Sequence, residues 1–146
     1  MQSARTCDIK APPAGGTYDG TGCDIVIYYS AGAEGSVKDA LVTGGKRFGI
    51  LVNGDAGDVS VDIQDSYINQ IGDTPTFTGN QYGVAIYYRA FFAAGSATGR
   101  VSGNTISQYQ KGGIVVNGPG SNVQVQENTV VGLGPVSFIA QNGIQF

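Results

Sequence analysis

Histidine is absent from this 146-residue chain and only two cysteines occur, so a metal centre built on imidazoles or clustered thiolates is not expected. Charge is scarce as well. Charged residues make up 13% of the chain, against roughly 25% in an average soluble domain. Eight Lys and Arg against eleven Asp and Glu leave a net charge of -3, with no basic run longer than Lys46-Arg47. The electrostatic footprint of a nucleic-acid-binding protein is therefore missing. No apolar stretch approaches the roughly 20 residues of a membrane-spanning helix, and Met1-Gln2-Ser3 carries neither the charged nor the apolar region of a signal peptide. An exported form would have lost its signal. Strong helix formers are sparse, whereas glycine contributes 24 residues and uncharged Asn, Gln, Ser and Thr supply much of the remaining polarity. Such a composition favours turns and short strands over helices.

What the chain does contain is a repeat. Gly49-Ile50-Leu51-Val52-Asn53-Gly54 recurs as Gly113-Ile114-Val115-Val116-Asn117-Gly118, and Gly83-Val84-Ala85-Ile86-Tyr87-Tyr88 fits the same frame. Asp24-Ile25-Val26-Ile27-Tyr28-Tyr29 shares the Ile-Tyr-Tyr ending, and Gly143-Ile144-Gln145-Phe146 opens a fifth copy. First strands then begin at 24, 49, 83, 113 and 143, with spacings of 25, 34, 30 and 30. Each copy is followed by a second unit: Val37 to Val42, Ile63 to Ile68, Val101 to Ile106 and Val125 to Val130. Apolar residues alternate within these units, which is the period of a strand. Length variation falls in the intervening loops, notably Gly72 to Gln81. Stacked parallel coils account for this pattern better than hairpins or equal propeller blades.

The alignment predicts a core of Ile25, Ile27, Ile50, Val52, Val84, Ile86, Ile114 and Val116. It also brings Ala40, Ser66, Asn104 and Asn128 into one column at the bend of the second unit, where an asparagine ladder is expected between coils three and four. Val101-Ser102-Gly103-Asn104-Thr105-Ile106 and Val125-Gln126-Glu127-Asn128-Thr129-Val130, each beside a Gly-Ile or Gly-Val strand, resemble repeats of right-handed parallel β-helix proteins of the pectate-lyase-like superfamily. The resemblance covers roughly residues 24–146. It implies an all-β, right-handed parallel β-helix of four to five coils, with residues 1–23 as an irregular N-terminal arm or cap. On activity it is nearly silent, since that superfamily includes lyases, hydrolases, epimerases, phage tailspikes and non-catalytic surface proteins.

Cys7 and Cys23 bracket an arm rich in Pro and Gly that cannot bury enough apolar surface to hold itself. A disulfide between them is the leading reading, and two buried free thiols the alternative. Closing such a loop stabilises by roughly 3 kcal/mol. A disulfide points to an oxidising, extracellular compartment.

Three groups of side chains are candidates for function. Asp62, Asp65 and Arg100 are expected to share a patch on coils two and three, where two carboxylates and a uronate-binding Arg would suit lyase or hydrolase chemistry on an acidic polysaccharide. The plainer reading is a solvated ion pair. Asp55 and Asp58 are weaker candidates for Ca²⁺, although turn aspartates commonly cap backbone amides; no other cofactor is expected. Finally, Val26, Leu51, Ala85 and Val115 form an apolar strip on the outward side of the first strands. Tyr28, Asn53, Tyr87 and Asn117 stand beside it, followed by Arg89 and the apolar loop with Phe91 and Phe92. Either the arm or that loop covers the strip, or it binds a polysaccharide or another cell-surface partner. A non-catalytic binding domain is the leading expectation, with a polysaccharide-cleaving enzyme or a structural, self-associating segment as alternatives. The abrupt end of the fifth coil predicts a longer β-helix or a homo-oligomer.

Overall fold

The computed structural model describes residues 7–146; the expectations for residues 1–6 lie outside them. The chain forms strands and no helix among these residues, wound as a parallel β-solenoid of about five turns. Among the described residues no helix is long and apolar enough to cross a membrane. The first sheet contains β2 (Ile25–Tyr29), β5 (Phe48–Asn53), β8 (Val84–Arg89), β11 (Gly112–Asn117) and β14 (Asn142–Gln145). The second contains β3 (Glu34–Lys38), β6 (Val59–Gln64), β9 (Ala97–Ser102) and β12 (Ser121–Gln126). Three-residue strands make the third: β1 (Thr17–Asp19), β4 (Leu41–Thr43), β7 (Tyr67–Asn69), β10 (Thr105–Ser107) and β13 (Thr129–Val131). Every strand pairs in parallel with its counterpart one coil away.

Registers of the second and third sheets follow the repeat residue for residue. Val37 pairs with Ile63, Ile63 with Val101 and Val101 with Val125. Val42, Ile68, Ile106 and Val130 are likewise adjacent, and Tyr18 of the arm adds one more member beside Val42. The arm is thus partly a coil of the solenoid: β1 extends the third sheet, and Ile9 bridges Ile27 at the edge of the first. The Cys7–Cys23 disulfide is formed, with Cα atoms 5.5 Å apart.

At the bend between these two sheets the ladder is longer than the sequence suggests. Ser66 Oγ accepts from the Ala40 N–H, Asn104 Oδ1 from the Ser66 N–H and Asn128 Oδ1 from the Asn104 N–H, at 3.0–3.1 Å. Asn104 Nδ2 also donates to Ile63 O, and Asn128 Nδ2 to Val101 O, both at 2.9 Å. At position 40 only the backbone takes part, its N–H donating to Ser66 Oγ and its carbonyl accepting from the Tyr67 N–H, so alanine suffices there. The residue before each ladder member is left-handed: Asp39, Asp65, Gly103 and Glu127 have φ of 50°, 51°, 69° and 56°.

The first sheet corrects the sequence alignment. Ile50 pairs with Ile27 and Ile86, not with Ile25 and Val84, and Ile114 pairs with Ile86 and Ile144. Coils one and three are each displaced by two residues. A slip of two keeps every side chain on its face, so alternation alone does not detect it. Packing sets the register. In the inward row Tyr29, Val52, Tyr88 and Val116 lie side by side, and the two tyrosines reach across the core to Gly35 and Gly99 of the second sheet. A glycine opposite each tyrosine leaves room for the larger ring, so coils with Tyr and coils with Val fit one core. The Tyr29 hydroxyl donates to Ser36 O at 3.3 Å and that of Tyr88 to Val61 O, satisfying both phenols across the core. Burial raises the pKa of each above the ordinary tyrosine value.

A local break in alternation overturns part of the expected apolar strip. Val26 and Ile27, Gly49 and Ile50, and Ala85 and Ile86 are consecutive residues that are all buried. Val26 and Ala85 therefore belong to the core, at the corner where the third sheet gives way to the first. Glycine is required at that corner in coil two, where a Cβ on Gly49 would lie 2.6 Å from Ala85 O. At the other end of the stack, Val123, Val125 and Val130 are only partly buried, and Leu133, Phe138, Ile144 and Phe146 are exposed.

Candidate functional site

With the register corrected, the outward row of the first sheet reads Tyr28, Leu51, Tyr87, Val115 and Gln145. Leu51 and Val115 are 5% and 9% exposed, because the larger tyrosines beside them shade them. Tyr28 and Tyr87, expected to stand next to an aliphatic strip, instead form part of its row. The Tyr87 ring stacks on Phe48 with centroids 5.3 Å apart and planes 25° from parallel. Phe48 precedes the Gly-Ile motif by one residue and so lies outside the repeat frame that the sequence displays. Its partner became visible only with the register.

Polar groups border these rings. Asn53 Nδ2 donates to the Tyr28 hydroxyl at 3.4 Å and Asn117 Nδ2 to that of Tyr87 at 3.3 Å. Asn53, Arg89 and Asn117 share the next column. Lys10 Nζ lies 5.4 Å from the Tyr28 centroid and the Arg47 guanidinium 5.7 Å from that of Phe48, distances at which cation–π attraction operates. Arg47 also pairs with Asp24 at 2.8 Å. Among the described residues the arm continues the sheet edgewise, Ile9 donating to Val26 O and accepting from the Tyr28 N–H.

The loop with Phe91 and Phe92 projects from the end of β8, where the two rings are 38% and 64% exposed. Asp55 and Asp58 anchor it. Asp55 pairs with Arg89 at 2.7 Å and accepts from the Phe91 N–H at 2.7 Å; Asp58 accepts from the N–H and hydroxyl of Ser96, both at 3.0 Å. Both carboxylates are thus occupied by donors of the chain itself. Among the described residues no three His, Cys, Asp or Glu side chains gather to hold a metal ion.

Asp62 and Arg100 are neighbours on the second sheet, but their side chains do not form an ion pair. Asp62 Oδ1 accepts from the Arg100 backbone N–H at 2.9 Å, while Arg100 Nε donates to Gln124 Oε1 at 3.3 Å. The ion pairs among the described residues are Asp24–Arg47 and Asp55–Arg89. Asp65 sits at the left-handed bend, packed against Gly103. Its position meets a conformational demand that Asp tolerates better than most residues.

A third feature gave no signal in the sequence. The connection from β7 to β8 is organised around Gln110, which is fully buried. Gln110 Oε1 accepts from the N–H groups of Asp73 and Thr78 at 3.0 Å each, and Nε2 donates to Asn80 O at 2.9 Å. The Asp73 carboxylate accepts from Thr78, Tyr82 and Asn80. These bonds, led by the Thr78 hydroxyl, hold the Asp73 pKa well below the usual carboxylate range.

Comparison of the chain with models of known families, with curated proteins and with solved structures finds no match. Functional inference therefore rests on the chemistry of the surface.

Proposed function

We propose that this chain is an extracellular, non-catalytic β-helix domain, related to the pectate-lyase-like proteins, that binds polysaccharide through the outward face of its first sheet. The observation that carries this reading is the row Tyr28, Leu51 and Tyr87, with Phe48 stacked on Tyr87 and amides at the phenol oxygens. Pyranose rings present an apolar face of C–H groups and a rim of hydroxyls. Aromatic surface bordered by Asn and Arg complements both. Tyr28 and Tyr87 are two coils apart, about 10 Å at sheet spacing, so one bound chain would reach both. The disulfide and the largely uncharged polar surface are compatible with life outside the cell.

The test is retention on a panel of neutral and acidic polysaccharides, with and without Ca²⁺, while new reducing or unsaturated ends are assayed. Retention without product is expected, with Tyr87→Ala weakening it about tenfold, or roughly 1.4 kcal/mol. A product that disappears in Asp62→Ala and Arg100→Ala would replace this reading with an enzyme. Failure of every polysaccharide to retain the protein would leave a cell-surface protein partner as the occupant.

A further inference from the structure

We infer that the solenoid carries a second binding site, independent of the first-sheet face, in a groove at the corner between the third and first sheets, and that its ligand is an uncharged oligosaccharide. The groove has a volume of about 540 Å³, within the range of roughly 300–1,000 Å³ typical of small-ligand sites. Gln70 and Gln108 belong to its lining. They lie on adjacent coils, as the hydrogen bond from the Ile71 N–H to Gln108 O shows. Both are left-handed, with φ of 55° and 49°, and both are exposed. Thr21, Thr74, Pro75, Phe77 and Leu133 complete the lining, with residues 74–77 forming one wall.

This wall is held before any ligand arrives. Gln110 Oε1 binds the backbone on both sides of the tip, at Asp73 and at Thr78, so residues 74–77 are clamped at their base by one buried side chain. The half-buried Phe77 ring is thereby presented to the groove with little ordering entropy left to lose on binding.

Charge selects the ligand. No charged side chain lines the groove among the described residues, whereas the first-sheet face carries Lys10, Arg47 and Arg89. Primary amides and hydroxyls both donate and accept, as sugar hydroxyls do, and Phe77, Pro75 and Leu133 offer apolar contact for pyranose C–H faces. An anion would find no counter-charge here and would lose solvation.

The experiment titrates isotopically labelled protein with tetrasaccharides of β-glucan, α-glucan, β-mannan and, as the charged control, galacturonan. Amide shifts are followed by NMR at Gln70, Phe77 and Gln108, and separately at Tyr28 and Tyr87. At least one neutral tetrasaccharide is expected to shift the groove amides saturably, and the galacturonan is not. Phe77→Ala should weaken this binding about tenfold, and Gln108→Gly, which keeps the left-handed backbone, at least about threefold. Tyr87→Ala should leave it unchanged, so failure of the first-sheet reading would not imitate failure here. The inference is overturned if no neutral tetrasaccharide moves the groove amides at about 10 mM, or if galacturonan moves them equally. Unchanged binding in Gln108→Gly would also overturn it, whether or not Phe77→Ala disturbs the loop.

Discussion

The bend between the second and third sheets and the opposite side of the solenoid, the first sheet with its connections, obey different rules. At the bend each coil turns in two residues, a left-handed one followed by a ladder member, and the backbone N–H of each coil binds a side chain of the next. Nothing can be inserted there without leaving buried N–H or C=O groups unpaired, a penalty of about 1–3 kcal/mol for each group. Across the core, the first sheet alternates Tyr and Val, and its connection to the third sheet ranges from short turns to the folded loop at residues 72–82. Constancy is thus enforced where polar backbone is buried, and variation accumulates where loops face water. Both candidate binding surfaces lie on the variable side.

The largest effect is expected from breaking the bend. Asn104→Ala would leave the buried Ser66 N–H without a partner and remove the amide's bonds to the Ile63 carbonyl and to Asn128. A global loss of about 3 kcal/mol is expected, measured as a lower urea midpoint with an unchanged slope. An effect under about 0.5 kcal/mol would show that the ladder decorates the bend rather than enforcing it.

An intermediate effect is expected from the Tyr–Gly match across the core. A Cβ on Gly35 would lie 2.9 Å from the Tyr29 ring, and backbone is not among its nearest neighbours. Gly35→Val should therefore cost about 1–3 kcal/mol by overpacking, and Tyr29→Val about 2–4 kcal/mol by the cavity it leaves. The double variant should recover at least about 1 kcal/mol relative to the sum. Strict additivity in this cycle would mean that the two positions do not compensate each other.

The smallest and most local effect belongs to the loop. Asp73→Asn should speed amide exchange across residues 73–82 while leaving the global midpoint within error. In the wild type the folded-state pKa of Asp73 is depressed, so its contribution is complete above the unfolded carboxylate value of about 4 and fades as pH falls below it toward the folded value. Loop protection that is flat from pH 6 to about pH 4.5 and declines only below is the expected profile. A decline already near neutrality would contradict the assigned hydrogen bonds.

Legibility in the sequence followed the same division. Val37, Ile63, Val101 and Val125, with Ala40, Ser66, Asn104 and Asn128, could be aligned by eye because a two-residue bend permits no drift. The first strands carry equally clear motifs, yet these motifs align Ile50 with Ile25 and Val84 where the structure pairs it with Ile27 and Ile86, since alternation is blind to a slip of two. The two-residue shift changes the surface. Val26 and Ala85 left the expected strip for the core, while Tyr28 and Tyr87 joined Leu51 and Val115 in one row.

From the sequence alone came the parallel coils, the bend column, the pairing of Cys7 with Cys23 as the leading choice, and the identity of the outward tyrosines. All of these are periodic or compositional, and each is repeated or bracketed within the chain. The stacking of Phe48 on Tyr87, the capture of Asp55 and Asp58 by the Phe91–Phe92 loop, and the clamp of Gln110 on residues 73 and 78 were decided by tertiary structure. Each joins residues on different coils through side-chain volume or a buried polar atom, and such matches have no period for a sequence to display.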